Sequence, residues 1–280
     1  MLALSQTAEA VAATTRKTEK VAIVAGHLRS QDTESAALGA QFLSGRVFAS
    51  WEERTLQVGG TLLWRALMTV SGAADAELSA AVRKHGDLGA GAYDVLAAHH
   101  AAVPTLTVED VARNFEVLAS TRGASAKGEL LTGLLRRATP LEAKYIVKII
   151  TGELRIGLKE SLVEEAIAKA YQVPLADVQR ANMLLGDIAE TVRLAIEGRL
   201  REARMRLFHP IGFMLATPSE SAAEAFEKIS NAIVEDKYDG IRAQVHVSPA
   251  RDGAEAKVKI YSRTLDEISE SFPELRPSLA

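Results

Sequence analysis

Apolar residues in the first three quarters of the chain recur every three or four positions, the spacing of amphipathic α-helices. The segment 17–29 has this pattern, and the segments 61–70 and 108–119 repeat it. Alanine and leucine, both strong helix formers, are frequent in all three segments. We therefore predict that residues 1–209 form an all-α, multi-helix domain.

Two helix beginnings are marked by capping-box sequences, in which a hydroxyl residue precedes a glutamate by three positions. Thr139-Pro140-Leu141-Glu142 predicts a helix that ends near Ile150, and Ser161-Leu162-Val163-Glu164 predicts one that ends near Tyr171. The intervening residues 152–159, Gly-Glu-Leu-Arg-Ile-Gly-Leu-Lys, are too short and too rich in glycine for a helix. We predict a loop there, the 152–159 loop.

The pattern changes after Arg206. Pro210, Gly212 and Pro218 indicate a connector between domains, and residues 222–230 predict one more short helix. We place the domain boundary between residues 209 and 210.

Alternation with a period of two first appears after residue 240. Ile241, Ala243, Val245 and Val247 alternate with polar residues, which predicts a strand with these four side chains on its buried face. Pro249–Gly253 predicts a turn, and 257–261 the returning strand. Residues 210–280 should therefore be the opening part of an α+β domain whose carboxyl-terminal part is missing, in a protein that is mainly α.

Composition excludes several classes of protein. The 280 residues include 33 Lys+Arg and 36 Asp+Glu, 48% are hydrophobic, and there is no cysteine. These values are typical of a globular protein, and they exclude a disulfide framework, a cysteine zinc site and a thiol nucleophile. No apolar run reaches the ~20 residues of a membrane span, and no basic leader precedes an apolar stretch. We expect a cytoplasmic, monomeric protein without a membrane partner.

Positive charge is concentrated in two places within a chain whose net charge is −3. Residues 136–160 contain six Lys/Arg against three Asp/Glu, and residues 193–206 contain five Arg against two Glu, so each carries +3. The 152–159 loop offers Arg155, Gly157 and Lys159 directly before a helix N-terminus, an arrangement that suits phosphate. The alternative for both places is a solvated helix face. Asp87 and Asp94 are expected to be solvated.

A second candidate site surrounds Lys237. Glu235 and Lys237 would share one face of an extended segment, and Asp239-Gly240 would turn the chain toward Arg242. A lysine held next to another cation in a desolvated site can act as a nucleophile. The alternative is a charged hairpin tip that faces water.

Residues 237–242, Lys-Tyr-Asp-Gly-Ile-Arg, resemble the K-x-D-G-x-R motif of the covalent nucleotidyltransferases: DNA ligases, RNA ligases and mRNA capping enzymes. Ser262-Arg263-Thr264 resembles the S-R-N motif that follows in ATP-dependent DNA ligases, with Thr264 in place of the usual asparagine.

The helical region resembles the DNA-binding domain of large ATP-dependent DNA ligases. The similarity lies in residues 138–145, in 151–158 with the helix that follows, and in 43–48, while 214–216 resemble the entry to the adenylation domain. RNA ligases and capping enzymes lack this helical domain. NAD-dependent ligases have a different N-terminal region and a cysteine zinc site, which this chain lacks.

The resemblance implies an enzyme of DNA replication, repair and recombination that uses ATP and Mg²⁺ to seal nicks in duplex DNA through a lysyl-AMP intermediate. Lys237 would attack the α-phosphate, Glu235 would contact the adenine, Arg242 the ribose or phosphate, and Arg263 AMP or the DNA end. Arg155, Gly157 and Lys159 would contact the DNA backbone. No metal ligand is identified, and we expect this chain alone to be inactive. An RNA ligase or capping enzyme, and a non-catalytic DNA-binding protein, remain the alternatives.

Overall fold

The computed structural model describes residues 1–212, 217–249 and 255–279. The chain divides into two compact units, Met1–Arg204 and Met205–Ala280. The division comes slightly before the predicted boundary between residues 209 and 210. Leu200 and Ala203 are still buried in the helical core, whereas Met205 is exposed. Residues 214–216, whose sequence resembles the entry to an adenylation domain, lie outside the described residues.

The first unit is built from helices, as predicted. No helix among the described residues is both long enough and apolar enough to span a lipid bilayer. The helices are α1 Leu2–Ala12, α2 Lys17–Ser30, α3 Thr33–Leu43, α4 Gly60–Ser71, α5 Asp75–His85, α6 Leu88–His99, α7 Val108–Ser120, α8 Ala124–Arg137, α9 Pro140–Thr151, α10 Glu160–Tyr171, α11 Leu175–Leu185 and α12 Ile188–Ile196, followed by a 3₁₀ turn Leu200–Glu202.

The two predicted capping boxes have different outcomes. Thr139 caps α9 as predicted: its hydroxyl accepts a hydrogen bond from the backbone N–H of Glu142, whose carboxylate accepts one from the N–H of Thr139. The box at Ser161 is wrong, because α10 begins at Glu160 with Lys159 as its N-cap and without a side-chain cap. Tertiary contacts hold this first turn instead, since Glu160 accepts hydrogen bonds from Arg46 and Asn182.

Four helices surround the 152–159 loop, which connects α9 to α10. Helix α6 packs on α9, and α2 packs on α10. The contact of α6 with α9 is close at Gly89, where a Cβ atom would lie 2.6 Å from Lys148 Cγ and 2.7 Å from the carbonyl oxygen of Lys144. Because residue 89 is a glycine, the first turn of α6 can pack directly against α9, the helix that leads into the 152–159 loop.

The second unit contains, in its described part, the short helix α13 Ala222–Lys228, the strands β1 Gln244–Ser248 and β2 Lys257–Tyr261, and a final turn α14 Arg276–Leu279. The strands are antiparallel, with Val245 opposite Ile260 and Val247 opposite Val258. Most of the predicted turn Pro249–Gly253 lies outside the described residues.

The buried face predicted for the first strand is wrong. Ile241 is 72% exposed and precedes the strand, and Val245 is 42% exposed, whereas His246 is buried. The chain before the hairpin packs on the His246 face: the backbone N–H of Phe208 donates to His246 Nδ1 at 2.9 Å, and Tyr261 donates to the carbonyl oxygen of Phe208 at 3.0 Å. The segment that contains Phe208 therefore covers the face of the strand that carries His246. The alternation of residues along the strand does not by itself indicate this packing.

Candidate functional site

The 152–159 loop alternates between buried and exposed side chains. Leu154 and Ile156 are buried in the helical core, which anchors the loop, since burial of one such side chain contributes about 1.5–3 kcal/mol. Arg155, Gly157 and Lys159 are exposed. The structure thus places the three predicted contact residues on the solvent side of one anchored loop.

The loop backbone turns sharply, and one of its glycines is constrained by a neighbour. Gly152, Arg155 and Gly157 have φ angles of +70°, +49° and +62°, in the left-handed region. A Cβ atom on Gly157 would lie 2.8 Å from Lys20 Nζ. The close approach that Gly157 permits is therefore, in this structure, that of a buried lysine beneath the loop.

Arg155 and Lys159 differ in how far they are engaged within the protein. Arg155 Nη1 donates to the carbonyl oxygen of Gly86 at 2.7 Å, and Nη2 pairs with Glu153, while the side chain remains 54% exposed. Lys159 is exposed and has no ion-pair partner in the part of the chain that the structure describes. Lys159 is consequently the cation that can meet an incoming anion without giving up a contact.

Two buried lysines contact the loop from the protein side, and the sequence interpretation missed both. Lys20 of α2 donates to the carbonyl oxygen of Ile156, and Lys148 of α9 donates to that of Leu154 at 3.2 Å. The two residues are only 5% and 7% exposed. The available signal was weak: each lysine directly adjoins a valine, Val21 or Val147, within its helix.

Asp87 was expected to be solvated, which is wrong. Its side chain pairs with Lys148, and the two side chains are only 11% and 8% exposed. Asp87 is also the N-cap of α6, accepting from the N–H of Ala90 at 2.7 Å. Burial raises the pKa of the Asp87 carboxyl, but the hydrogen bonds from Lys148 and Ala90 outweigh burial and leave the pKa below its ordinary value. Asp87 therefore joins the beginning of α6 to the helix that carries the loop.

Carboxylates, most of them from other parts of the chain, offset charge in the two basic regions. Within 136–160, Arg137 pairs with Asp110 and Lys144 with Glu9. In the arginine-rich run 193–206, the ion pairs are Arg193 with Glu34, Arg199 with Glu197 and Glu202, and Arg201 with Asp177. For the 193–206 run, these pairs favour the alternative of a solvated, internally compensated surface.

The segment 43–48 lies next to the loop, although more than 100 positions separate them along the chain. Arg46 Nε donates to Glu160 at 3.2 Å, and a Cβ atom on Gly45 would lie 4.0 Å from Leu154. Two of the segments that carry the family resemblance thus form one continuous surface.

The segment 235–242 in the second unit, the lysine segment, is exposed along its length. Tyr238, which follows Lys237, is 90% exposed. Neither Glu235 nor Lys237 makes a hydrogen bond or ion pair within the described residues, and Arg242 lies before β1 instead of within it. The residue types suit a nucleotide, and the described part of the chain leaves their side chains exposed to solvent.

Arg263 lies in a tight turn after β2. The N–H of Ser262 donates to the carbonyl oxygen of Asp266 at 2.9 Å, and the Ser262 hydroxyl accepts from the N–H of Thr264 at 3.1 Å. This turn presents the Arg263 side chain to solvent. In the ranges that the structure describes, no three carboxylate or histidine side chains are grouped as metal ligands.

Two family models match the chain. The model described as DNA ligase N terminus matches residues 1–168, and the model described as ATP dependent DNA ligase domain matches residues 213–280. The first range includes the 152–159 loop, and the second includes the lysine segment.

Curated relatives agree with these matches. A probable DNA ligase of Koribacter versatilis (strain Ellin345) is 60% identical over 279 residues, covering all of this chain and 47% of the relative. A DNA ligase of Archaeoglobus fulgidus is 37% identical over 243 residues, covering 84% of this chain and 43% of the relative. A probable DNA ligase of Opitutus terrae is 35% identical over 341 residues, covering 98% and 33%. The chain spans about half the length, or less, of these relatives.

Proposed function

The chain belongs to the ATP-dependent DNA ligase family, and from that premise we propose that it supplies the DNA-binding domain and the first part of the adenylation domain of an enzyme that seals nicks in duplex DNA. Residues 1–209 would bind the duplex, and residues 210–280 would contribute the nucleotide-linked lysine. The protein would act as a monomer in the cytoplasm.

The observation that best supports DNA binding is the anchored 152–159 loop. Its cations Arg155 and Lys159 and the exposed backbone at Gly157 lie on one side, while Leu154 and Ile156 fasten the other side to the core. Such a loop would contact phosphates, and phosphate contacts position a protein on DNA without reading its sequence. We therefore propose sequence-independent binding of the duplex backbone.

The proposed chemistry rests on Lys237. Its Nζ would form a bond to the α-phosphorus of ATP while the bond to the bridging oxygen breaks and pyrophosphate leaves. Glu235 would recognise the adenine, Arg242 the ribose or phosphate, and Arg263 the AMP or the DNA end. AMP would then pass to the 5′-phosphate at the nick, and the 3′-hydroxyl would displace it. Mg²⁺ would neutralise phosphate charge during these transfers.

Lys237 is exposed in this structure, and this bears on how it could react. An amine is a nucleophile only in its neutral form, which water disfavours and desolvation favours. The surroundings that exclude water from Lys237 would have to come from the bound nucleotide or from protein groups that do not contact it here. For that reason we propose that the chain alone binds DNA but forms little adduct with AMP.

DNA binding tests the proposal directly. Fluorescence anisotropy would compare labelled duplex DNA, nicked and intact, with an RNA duplex of the same sequence. We expect binding of both DNA duplexes with little dependence on sequence, weaker binding of RNA, and a steep loss of affinity with salt as counterions are released. Absence of DNA binding at low salt, or a preference for RNA, would contradict the proposal.

A further inference from the structure

Two buried ammonium groups hold the backbone of the 152–159 loop. Lys20 reaches the carbonyl oxygen of Ile156 from α2, and Lys148 reaches that of Leu154 from α9. The carbonyls belong to the two apolar residues that anchor the loop, and each precedes an exposed residue, Arg155 or Gly157. The lysines therefore act on the positions that determine where the exposed groups point.

A buried ammonium group is costly unless it is compensated. Asp87 compensates Lys148. Within the described ranges no carboxylate pairs with Lys20, whose ammonium group donates to the loop carbonyl oxygen of Ile156. A leucine or methionine would fill the same space on α2 without this cost, so packing alone does not account for a lysine at position 20.

We propose that Lys20 and Lys148 are positioning residues for DNA binding, which hold the loop backbone in the shape that presents Arg155, Gly157 and Lys159 to the duplex. This inference rests on the proposed function of the loop. Neither lysine would contact the DNA itself, because both are buried on the protein side of the loop.

Positioning and direct contact have different thermodynamic consequences. A loop released from Lys20 would still meet the same phosphates, but its residues would have to be ordered on binding, which lowers affinity. The slope of log Kd against log salt reports the number of phosphates neutralised. Loss of a positioning residue should therefore weaken binding at every salt concentration without changing the slope, whereas loss of a contact residue should flatten it.

The experiment compares Lys20→Met with the double variant Arg155→Ala/Lys159→Ala in binding to nicked duplex DNA between 50 and 200 mM salt. We expect Lys20→Met to weaken binding about tenfold at an unchanged slope, and the double variant to flatten the slope. Lys169→Met, a change of an exposed lysine on α10, is the matched control and should bind as the unaltered chain does.

Amide hydrogen exchange provides a reading that does not depend on DNA. In Lys20→Met, residues 153–158 should exchange faster while α2, α9 and α10 keep their protection. If Lys20→Met does not fold, Lys20→Gln, which keeps a donor without the charge, replaces it. Failure of both variants to fold would show a general role in stability and overturn the proposal.

The remaining outcomes are also decisive. Unchanged affinity in a folded Lys20→Met variant would overturn the proposal, and so would a flattened salt slope, which would make Lys20 a contact residue. If the unaltered chain does not bind DNA, the proposed function fails, while hydrogen exchange still reports whether Lys20 orders the loop. Lys148→Met combined with Asp87→Asn, which avoids an unpaired buried carboxylate, should repeat the behaviour of Lys20→Met.

Discussion

The Nζ atom of Lys20 lies 2.8 Å from the position that a Cβ atom on Gly157 would occupy, whereas a Cβ atom on Gly152 would meet no described atom within 4 Å. Both glycines have positive φ angles, +62° and +70°. The two glycines therefore share a positive φ angle but differ in their surroundings. Alanine substitutions at the two positions can separate the cost of the backbone conformation from the cost of displacing Lys20.

Gly152→Ala should lower the free energy of unfolding by about 1 kcal/mol, the cost of a left-handed conformation for alanine. Gly157→Ala should cost about 1 kcal/mol more, because Lys20 Nζ must shift and its hydrogen bond to the carbonyl oxygen of Ile156 is weakened. Urea unfolding followed by the helical circular dichroism signal measures both. Equal losses in the two variants would contradict the constraint by Lys20.

Replacing Arg155 and Lys159 together by alanine should reduce the salt slope of DNA binding. Each lost phosphate contact lowers the slope by about 0.9, so two full contacts would lower it by about 1.8. Lys159→Ala alone should account for the larger share, because Arg155 is engaged with Gly86 and Glu153. Lys169→Ala is the control, and an unchanged slope in the double variant would remove the loop from the interface.

The 280-residue chain should form little or no covalent AMP adduct when it is incubated with radiolabelled ATP and Mg²⁺ and run on a denaturing gel. Lys237 is exposed to water, which favours its protonated, non-nucleophilic form. A strong band that disappears in Lys237→Ala would show that the chain is already competent.

A chimera that joins this chain to the remaining carboxyl-terminal part of the Koribacter versatilis relative should form the adduct. Lys237→Ala should abolish it, and Lys237→Arg should do the same, since arginine stays protonated and cannot attack phosphorus. Lys228→Ala, which alters a lysine that pairs with Glu224 on α13, should keep the adduct. An adduct that survives Lys237→Ala would identify another nucleophile.

Stability should decrease as the pH falls through the titration of His27. This side chain is buried, and its Nε2 has no hydrogen-bond partner among the described residues. Burial, with a smaller contribution from the amino-terminal charge, lowers the pKa of His27 from 6.5 to about 4. The unfolded chain therefore binds the proton first, and the free energy of unfolding should fall between pH 6.5 and 4, by at most about 3 kcal/mol.

Urea unfolding at several pH values measures this dependence, and His27→Gln should flatten it within that window. Asp87 provides the comparison, because the pKa of its carboxyl lies below the ordinary value. Its contribution to stability is lost only as the pH falls below about 4, the ordinary pKa of aspartate. A pH profile that His27→Gln leaves unchanged would assign the titration to another group.

One interaction between residues close together in the sequence was predicted correctly. The Thr139 capping box joins residues three positions apart, and α9 begins where that pair predicts. The motifs around Lys237 and Gly157 were recognisable because their residues also stand close together, and the mainly helical composition of residues 1–209 followed from helical spacing. The similar box at Ser161 failed because Arg46 and Asn182, distant in sequence, hold Glu160 and start the helix earlier.

The sequence by itself determined the helical class and the position of the 152–159 loop, and it supplied the candidate site residues, since propensity, capping and motif spacing are local properties of the chain. Only the tertiary structure decided which charges are buried and paired. Lys20 and Ile156 lie 136 positions apart, and Lys148 and Asp87 lie 61 apart. A charge count assigns these lysines to the surface, whereas folding places them beneath the loop, because burial and ion pairing depend on which distant segments pack together.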